Sequence, residues 1–422
     1  MSKPRLLVLS HVHPFPGKSG QQKRVLYTLW AARKLFHVTF ATTVSPRHAN
    51  EASAKLHEIC DEVVLLPSRY LRNKATRVFH RALGELYGLY TGLKPSNYII
   101  GRLEFSPSRV APILAEQSFD CALFEYWHGA NLAAIFQQRD VPCVLDMHDL
   151  LWRAHAAHIN ENSIRPSWWK KRKVERYRAR EEEAWNHFGG VIAINREEQE
   201  YVQARVPEDT KVFHAPMGVD LSLWPYSWEP ARPFRVAYYG GLGNRRNQQG
   251  ALRCAKNIMP QIWRNFPEAQ LWLVGSNPPE SIRSLASDPR IKVTGYLEGV
   301  ADVLRTMSCV ICPWSGRYGF RSRLIEVMAT GVPVVASPDA VFGTDLEVGK
   351  GMLFGQDDGA LAAQSLRLLR DEAFACEQSN LARRQVESLF SFDNTYMELM
   401  HELHGWLRER RVREGEACSV LA

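Results

Sequence analysis

Between Gly316 and Ser337 the chain reads as a glycine loop, a short helix carrying one carboxylate, and an apolar strand. The loop Gly316-Arg317-Tyr318-Gly319-Phe320-Arg321 leads into a helix, and a helix opening presents unpaired N–H groups and the positive end of its dipole to an anion. Arg321 and Arg323 add full positive charges beside it, so the order suits a nucleotide diphosphate. Glu326, one turn further in, is placed to accept hydrogen bonds from ribose hydroxyls. Thr330-Gly331-Val332-Pro333 then ends the helix and starts the strand. A second set closes another apolar run. Leu145-Asp146-Met147-His148-Asp149-Leu150 predicts a histidine and an aspartate at the carboxyl end of a strand, with Asp149 either orienting His148 or capping the next helix. His128, after Phe124-Glu125-Tyr126-Trp127, is a candidate of the same kind.

The elements that must hold these residues are short apolar runs separated by helical patterns. They are Leu6 to Ser10, Val38 to Thr42, Val63 to Leu66, Ala122 to Phe124, Val144 to Asp146, Val191 to Ile194 and Val212 to His214. The series restarts at Arg235 to Gly240 and continues through Leu271 to Gly275, Ile291 to Gly295, Cys309 to Cys312 and Val332 to Ala336. Strands alternating with helices predict parallel, doubly wound α/β sheets, here two Rossmann-like domains facing across a cleft. The reading divides the chain into residues 1–222, a proline-rich linker at 223–233, a second domain at 234–390 and a tail at 391–422. Ligands of such sheets bind beyond the carboxyl ends of the strands.

The length of 422 residues allows two cores, and 45% hydrophobic with 23% charged residues is a globular composition. The first apolar run is too short for a signal peptide or a membrane span, which places the protein in the cytoplasm. The eight cysteines show no disulfide framework; Cys309 and Cys312, an odd number of positions apart in a strand, point to opposite faces. The net charge of +8 concentrates in two stretches that interleave basic and aromatic residues. One runs from Arg165 to Arg180 through Trp168, Trp169 and Lys170 to Lys173; the other holds Arg69, Tyr70, Arg72, Lys74, Arg77, Phe79, His80 and Arg81. Tryptophan beside lysine favours an anionic membrane interface, so peripheral contact at the inner face of the membrane is expected for the first stretch. The second reads as a solvated helix face with its aromatics packed inward. No helix-turn-helix, zinc-finger or RNA-recognition signature accompanies either, so no nucleic-acid partner is expected.

The Gly316–Ser337 segment resembles the donor-site signature of GT-B glycosyltransferases of the retaining family 4 type, E-G-F-G-x-x-x-x-E-A-M-A-x-G-x-P-V-V. Glu326 falls on the second glutamate, which in that family holds the nucleotide ribose, and Tyr318 stands in place of the first, which lies against the donor sugar. A subgroup resembling exopolysaccharide-associated sugar transferases also lacks the first glutamate and carries a basic residue three positions before the second, where this chain has Arg323. Tyr239-Gly240-Gly241-Leu242-Gly243-Asn244-Arg245-Arg246-Asn247 matches the segment where the family usually carries G-R-L and then lysine. Here Gly241 and Asn247 replace the two cations, and Arg245 or Arg246, with Arg321 and Arg323, are the candidates to restore the charge. Gly20 matches the glycine of the family's first loop. His148 matches a histidine near the reacting sugar and diphosphate, and His128 is placed on the acceptor side. Gly319, Phe320 and Leu324 complete the donor-binding set with Gly240.

The resemblance implies a metal-independent hexosyltransferase without a cofactor. It would move a sugar with retention from a UDP- or GDP-linked donor to a glycan or lipid-linked acceptor in polysaccharide or glycoconjugate assembly. It also implies a last helix that crosses back to the first domain; the polar sequence beyond Arg408 predicts a frayed end. Two rivals stand beside it. Tyr318, Gly241 and Asn247 favour a glycosyltransferase-like nucleotide-sugar or glycan-binding protein that has lost catalysis. A nucleotide-sugar epimerase would require paired carboxylates that the sequence does not offer.

Overall fold

The computed structural model describes residues 2–45, 49–163, 165–317 and 319–420. The chain forms two compact units, 1–216 joined by 396–422, and 217–395. In the first, β1 (Arg5–Ser10), β2 (His37–Val44), β3 (Glu62–Pro67), β4 (Cys121–Glu125), β5 (Cys143–Asp146), β6 (Gly190–Ala193) and β7 (Lys211–His214) make one sheet in the order β3-β2-β1-β4-β5-β6-β7. Every pairing is parallel. The strands read as unbroken apolar runs because helices cover both faces, so either orientation of a side chain meets core. Val8, Leu123, Leu145 and Val191 are fully buried there.

The second unit repeats the plan with β8 (Arg235–Tyr239), β9 (Gln270–Val274), β10 (Ile291–Gly295), β11 (Cys309–Cys312), β12 (Val334–Ala336) and β13 (Met352–Phe354), in the order β10-β9-β8-β11-β12-β13. β13 is absent from the sequence reading. It is three residues long between Gly351 and Gly355, too short to stand out as an apolar run, and a Cβ at Gly351 would lie 2.2 Å from Ala382. Cys309 and Cys312 are buried free thiols in two different clusters on opposite faces of the sheet. The proline-rich 223–233 stretch lies within this unit, where the Trp228 indole N–H donates to the carbonyl of Met307 at 2.8 Å.

The final helix, Glu398–Val420, packs in the first unit against the Gly20–Leu35 helix and β7. It continues past Arg408, and Arg411 there pairs with Asp120. Among the described residues, no helix is long and apolar enough to cross a membrane.

Candidate active site

In the first unit the site begins with register. Glu125 ends β4 and Asp146 ends β5, and the two are direct partners across the parallel pair. Two carboxylates, 3% and 0% exposed, therefore share one rung of the sheet. Such a pair persists only if each charge is met. Arg24, fully buried on the Gly20–Leu35 helix, meets one: its Nε donates to Asp146 Oδ2 at 2.7 Å and its Nη1 to the carbonyl of Ala215 at 2.7 Å. His148 meets the other through a hydrogen bond between its Nε2 and Glu125 Oε2. Its own backbone N–H donates to Asp146 Oδ1 at 3.3 Å.

His148 is fixed in every other respect. Its φ of 63° is a left-handed conformation that a non-glycine residue seldom holds unless its surroundings impose it. The ring stacks on Tyr126, itself at φ 72°, with centroids 3.9 Å apart and planes 11° from parallel. Burial opposes protonation of His148, but Asp146 and Glu125 outweigh it and raise its pKa. Burial and the charge of Asp146 push Glu125 up, against the pull of His148 and Arg24. Burial would raise Asp146 too, but Arg24 and His148 bring it below the ordinary range. The pair Glu125 and His148 thus retains its shared proton above the usual histidine range.

Glu125, Asp146 and His148 bring three donor atoms within 4.8 Å of one another. A metal ion could use that spacing, but Arg24 already neutralises Asp146 and His148 is bonded to Glu125. His11, whose ring centroid lies 5.1 Å from that of Tyr126, is lowered to about 4 by burial and by the charge of His148. His128 is 5.6 Å from His11, stacks on Trp127, and is held well below the usual range by burial and then by His11. It also lines an open cavity of about 180 Å³ with Trp127, Tyr87, Asn131 and Arg180. Gly20 is the first residue of its helix, behind the capping box of Ser19 and Gln22.

The bonds that orient His148 run to Glu125 and Asp146, and the N–H groups of Leu151 and Trp152 that open the next helix donate to Glu181 at 2.9 and 2.7 Å. Asp149, expected to orient His148 or to cap that helix, lies between the two in the chain, and its charge acts on Tyr126 and Glu198. Sequence reasoning quoted Glu125 and Asp146 without giving them a task, and it missed Arg24. The available signal was a charged residue in the apolar stripe of a helix whose neighbours Val25, Thr28 and Leu29 are all buried.

In the second unit, Glu326 lies on the inner side of the Ser322–Ala329 helix, 3% exposed, and accepts a hydrogen bond from the Tyr239 hydroxyl at 3.0 Å. Burial and then the Glu326 charge raise the Tyr239 phenol, so it stays a donor. Arg323 places its guanidinium 5.7 Å from the Tyr239 ring centroid. A Cβ at Gly241 would lie 3.3 Å from Arg323 Nη2, so Arg323 occupies the space beside that glycine. Asn247 Nδ2 donates to the Gly241 carbonyl at 2.8 Å, and its Oδ1 accepts from the Tyr238 hydroxyl at 3.2 Å. A Cβ at Gly275 would fall 1.7 Å from the Gly240 carbonyl, which lets the two loops touch.

Arg321 donates to the Gly316 carbonyl at 3.1 Å and lies 5.5 Å from the Trp314 ring. Asp339 pins the same loop through the Gly316 N–H at 2.9 Å and Arg317 at 3.2 Å. Gly319 takes φ 68°, Phe320 packs near Phe390, and Leu324 is core. Arg245 is exposed at the first position of the Arg245–Arg253 helix, while Tyr318 lies outside the described residues. The structure thus gathers Gly240, Gly241, Arg323 and Glu326 around Tyr239, and groups Arg321 with Trp314 and Gly316.

Comparison with known proteins agrees with this division. Residues 47–218 match the Glycosyl transferase 4-like domain, and residues 233–371 match the Glycosyl transferases group 1 domain. A phosphatidyl-myo-inositol mannosyltransferase of Mycobacterium leprae is 26% identical over 293 residues, 66% of this chain and 72% of that protein. Sucrose-phosphate synthase from Thermosynechococcus elongatus superposes with a TM-score of 0.68 at 18% identity, covering 97% of this chain and 100% of that one. HepE of Anabaena, solved with UDP-glucose, gives 0.63 at 17% identity over 95% and 99% of the two chains. The chain is a GT-B glycosyltransferase, built from a glycosyl transferase 4-like domain followed by a group 1 glycosyl transferase domain.

Proposed function

We propose that the second unit binds a UDP- or GDP-linked sugar, while the first holds a glycan or lipid-linked acceptor and contributes His148. The observation that carries this reading is the fixation of His148 by Glu125, Asp146 and Tyr126, which holds an imidazole immobile at the carboxyl end of β5, where Asp146 and Glu125 favour its protonated form. With Nε2 committed to Glu125, the second ring nitrogen is the one that faces a substrate, as a hydrogen-bond donor rather than a base. Glu326 holds the ribose hydroxyls, with Tyr239 orienting its carboxylate. Arg323 and Arg321, beside the N–H groups that open the Ser322–Ala329 helix, take the negative charge that grows on the leaving diphosphate.

In this reading side-chain cations replace a bound metal, and transfer proceeds with retention, as the family 4 resemblance implies. The named relatives support the substrate classes. HepE was solved with UDP-glucose, and the mycobacterial relative is named for mannosyl transfer to a phosphatidylinositol. Gly241, Asn247 and Arg323 favour a reading within the exopolysaccharide-associated subgroup, in a polysaccharide or glycoconjugate pathway. A panel of nucleotide sugars, scored by calorimetry for binding and by NMR for the anomeric configuration of the product, tests the reading. Binding of a UDP or GDP sugar with a retained product is expected. Failure of every nucleotide to bind, or inversion, overturns it.

A further inference from the structure

The Lys74–Thr91 helix has two apolar faces, and only one is covered. Its N-terminus is closed by the Asn73 capping box and its end by Gly92 at φ 81°, so its 18 residues are a complete helix. Gly84 and Gly88 let the inner face seat closely: a Cβ at Gly84 would lie 3.0 Å from that of Pro95, and one at Gly88 2.6 Å from the Leu93 carbonyl. Tyr87 packs beside them, 5.7 Å from the Tyr98 ring. At about 100° per residue, Val78, Phe79, Leu86, Leu89 and Tyr90 fall on the opposite side. Phe79 is 60% exposed, Leu86 61%, Leu89 76% and Tyr90 90%. Single exposed apolar residues are ordinary; a contiguous stripe of them marks a contact surface.

One edge of this stripe is basic. Lys74 and Arg81 border it beside Val78, Arg77 lies behind them in line with Gly84, and Arg69 and Arg72 precede the helix, all exposed and none in an ion pair among the described residues. Glu85 is the one acid between Arg69 and Thr91. We propose that this face docks on an anionic lipid bilayer, with the apolar side chains entering the interface and the cations meeting the headgroups. A bilayer offers that combination, negative above and apolar below. A second copy of the same face would set five cations against five, with a single acid on each side.

The assignment reverses the expectation from sequence, which gave the membrane role to the stretch after Arg165 and packed Phe79 inward. There Tyr177 is fully buried and Trp169 is shared by Lys173 and Arg165, at 5.1 and 6.0 Å from its ring, which leaves Trp168 as the exposed large apolar residue. The proposal deepens the lipid-linked acceptor reading, but its test needs neither donor nor acceptor.

The test is co-sedimentation of the full chain with phosphatidylcholine vesicles, with and without phosphatidylglycerol. The wild type is expected to pellet with the anionic vesicles. Leu86→Glu with Leu89→Glu should move it to the supernatant. Lys74→Gln with Arg81→Gln, which leaves the apolar face intact, should weaken binding roughly thirtyfold. Trp168→Ala should change little. Recovery of the wild type in the supernatant, or of both double variants in the pellet, would overturn the proposal. So would a dimer in analytical ultracentrifugation that is lost in the Leu86→Glu, Leu89→Glu variant, because a second copy would then cover the face. Vesicle binding without transfer to any lipid-linked acceptor would reject the acceptor reading alone.

Discussion

Replacing Glu125 by Gln keeps the shape and a hydrogen bond to His148 but removes the charge, and its consequence can be worked from the geometry. Hydrogen bonds to charged groups contribute about 1.5–3 kcal/mol, against about 0.5–1.5 kcal/mol for neutral ones. The difference, about 1–1.5 kcal/mol, equals roughly one pKa unit on His148. Asp146 remains, so the histidine stays partly supported. A raised histidine pKa keeps the protonated form to higher pH, and activity that requires this form is lost as pH rises through the raised value. In Glu125→Gln that alkaline loss should begin about one unit lower, and above both values kcat should be roughly tenfold below wild type. The stability that the pair contributes follows the same sign: full below the ordinary histidine range and lost as pH rises through the raised value. The assay is kcat against pH with saturating donor, alongside calorimetric affinity for UDP and a thermal melt. An alkaline limb that does not move, in a variant with native melting and unchanged UDP affinity, would show that Glu125 does not set the protonation of His148.

Three further outcomes follow from the same geometry. His148→Ala should lower kcat while the donor Kd changes little, because a group aimed at the reacting centre acts in the transition state; full turnover with the native acceptor would make the residue structural only. Glu326→Ala should weaken UDP or GDP binding by roughly ten- to a hundredfold, the equivalent of a lost charge-assisted hydrogen bond, and unchanged calorimetric affinity in a folded variant would remove it from the donor site. Arg323→Ala should weaken donor binding similarly, and adding Gly241→Arg to it should restore part of the loss. Gly241→Arg alone should not improve on wild type, and the idea fails if the double variant is no better than Arg323→Ala.

The sequence carried every strand but the three-residue β13 because each is apolar on both faces, a pattern that survives without knowing which strand neighbours which. It singled out His148 and Glu326 because each follows a recognisable run. It could not carry the pairing of Glu125 with Asp146, which is a fact of register between strands 21 residues apart, nor the contact of Arg24 with Asp146 across 122 positions. Phe79 fails for a related reason. A helix with apolar residues on two sides gives the same composition whether both faces are covered or one, and only the structure shows that Pro95 and Tyr98 take the side with Gly84 and Tyr87.

Gly241 and Arg323 share one space. Arg323 Nη2 stands 3.3 Å from where a side chain at 241 would begin, so an arginine there and Arg323 in its present pose would compete for the same space. Two guanidinium groups at such a distance would also repel. On the proposed donor-site reading, the helix supplies the cation that the loop lacks, because a positive charge moved between adjacent anchors acts on an anion at similar range with similar strength. Asn247 follows from this. A lysine in its place would have no acceptor for the Tyr238 hydroxyl, whereas the neutral amide bonds both that hydroxyl and the Gly241 carbonyl and so fixes the glycine loop against which Arg323 rests.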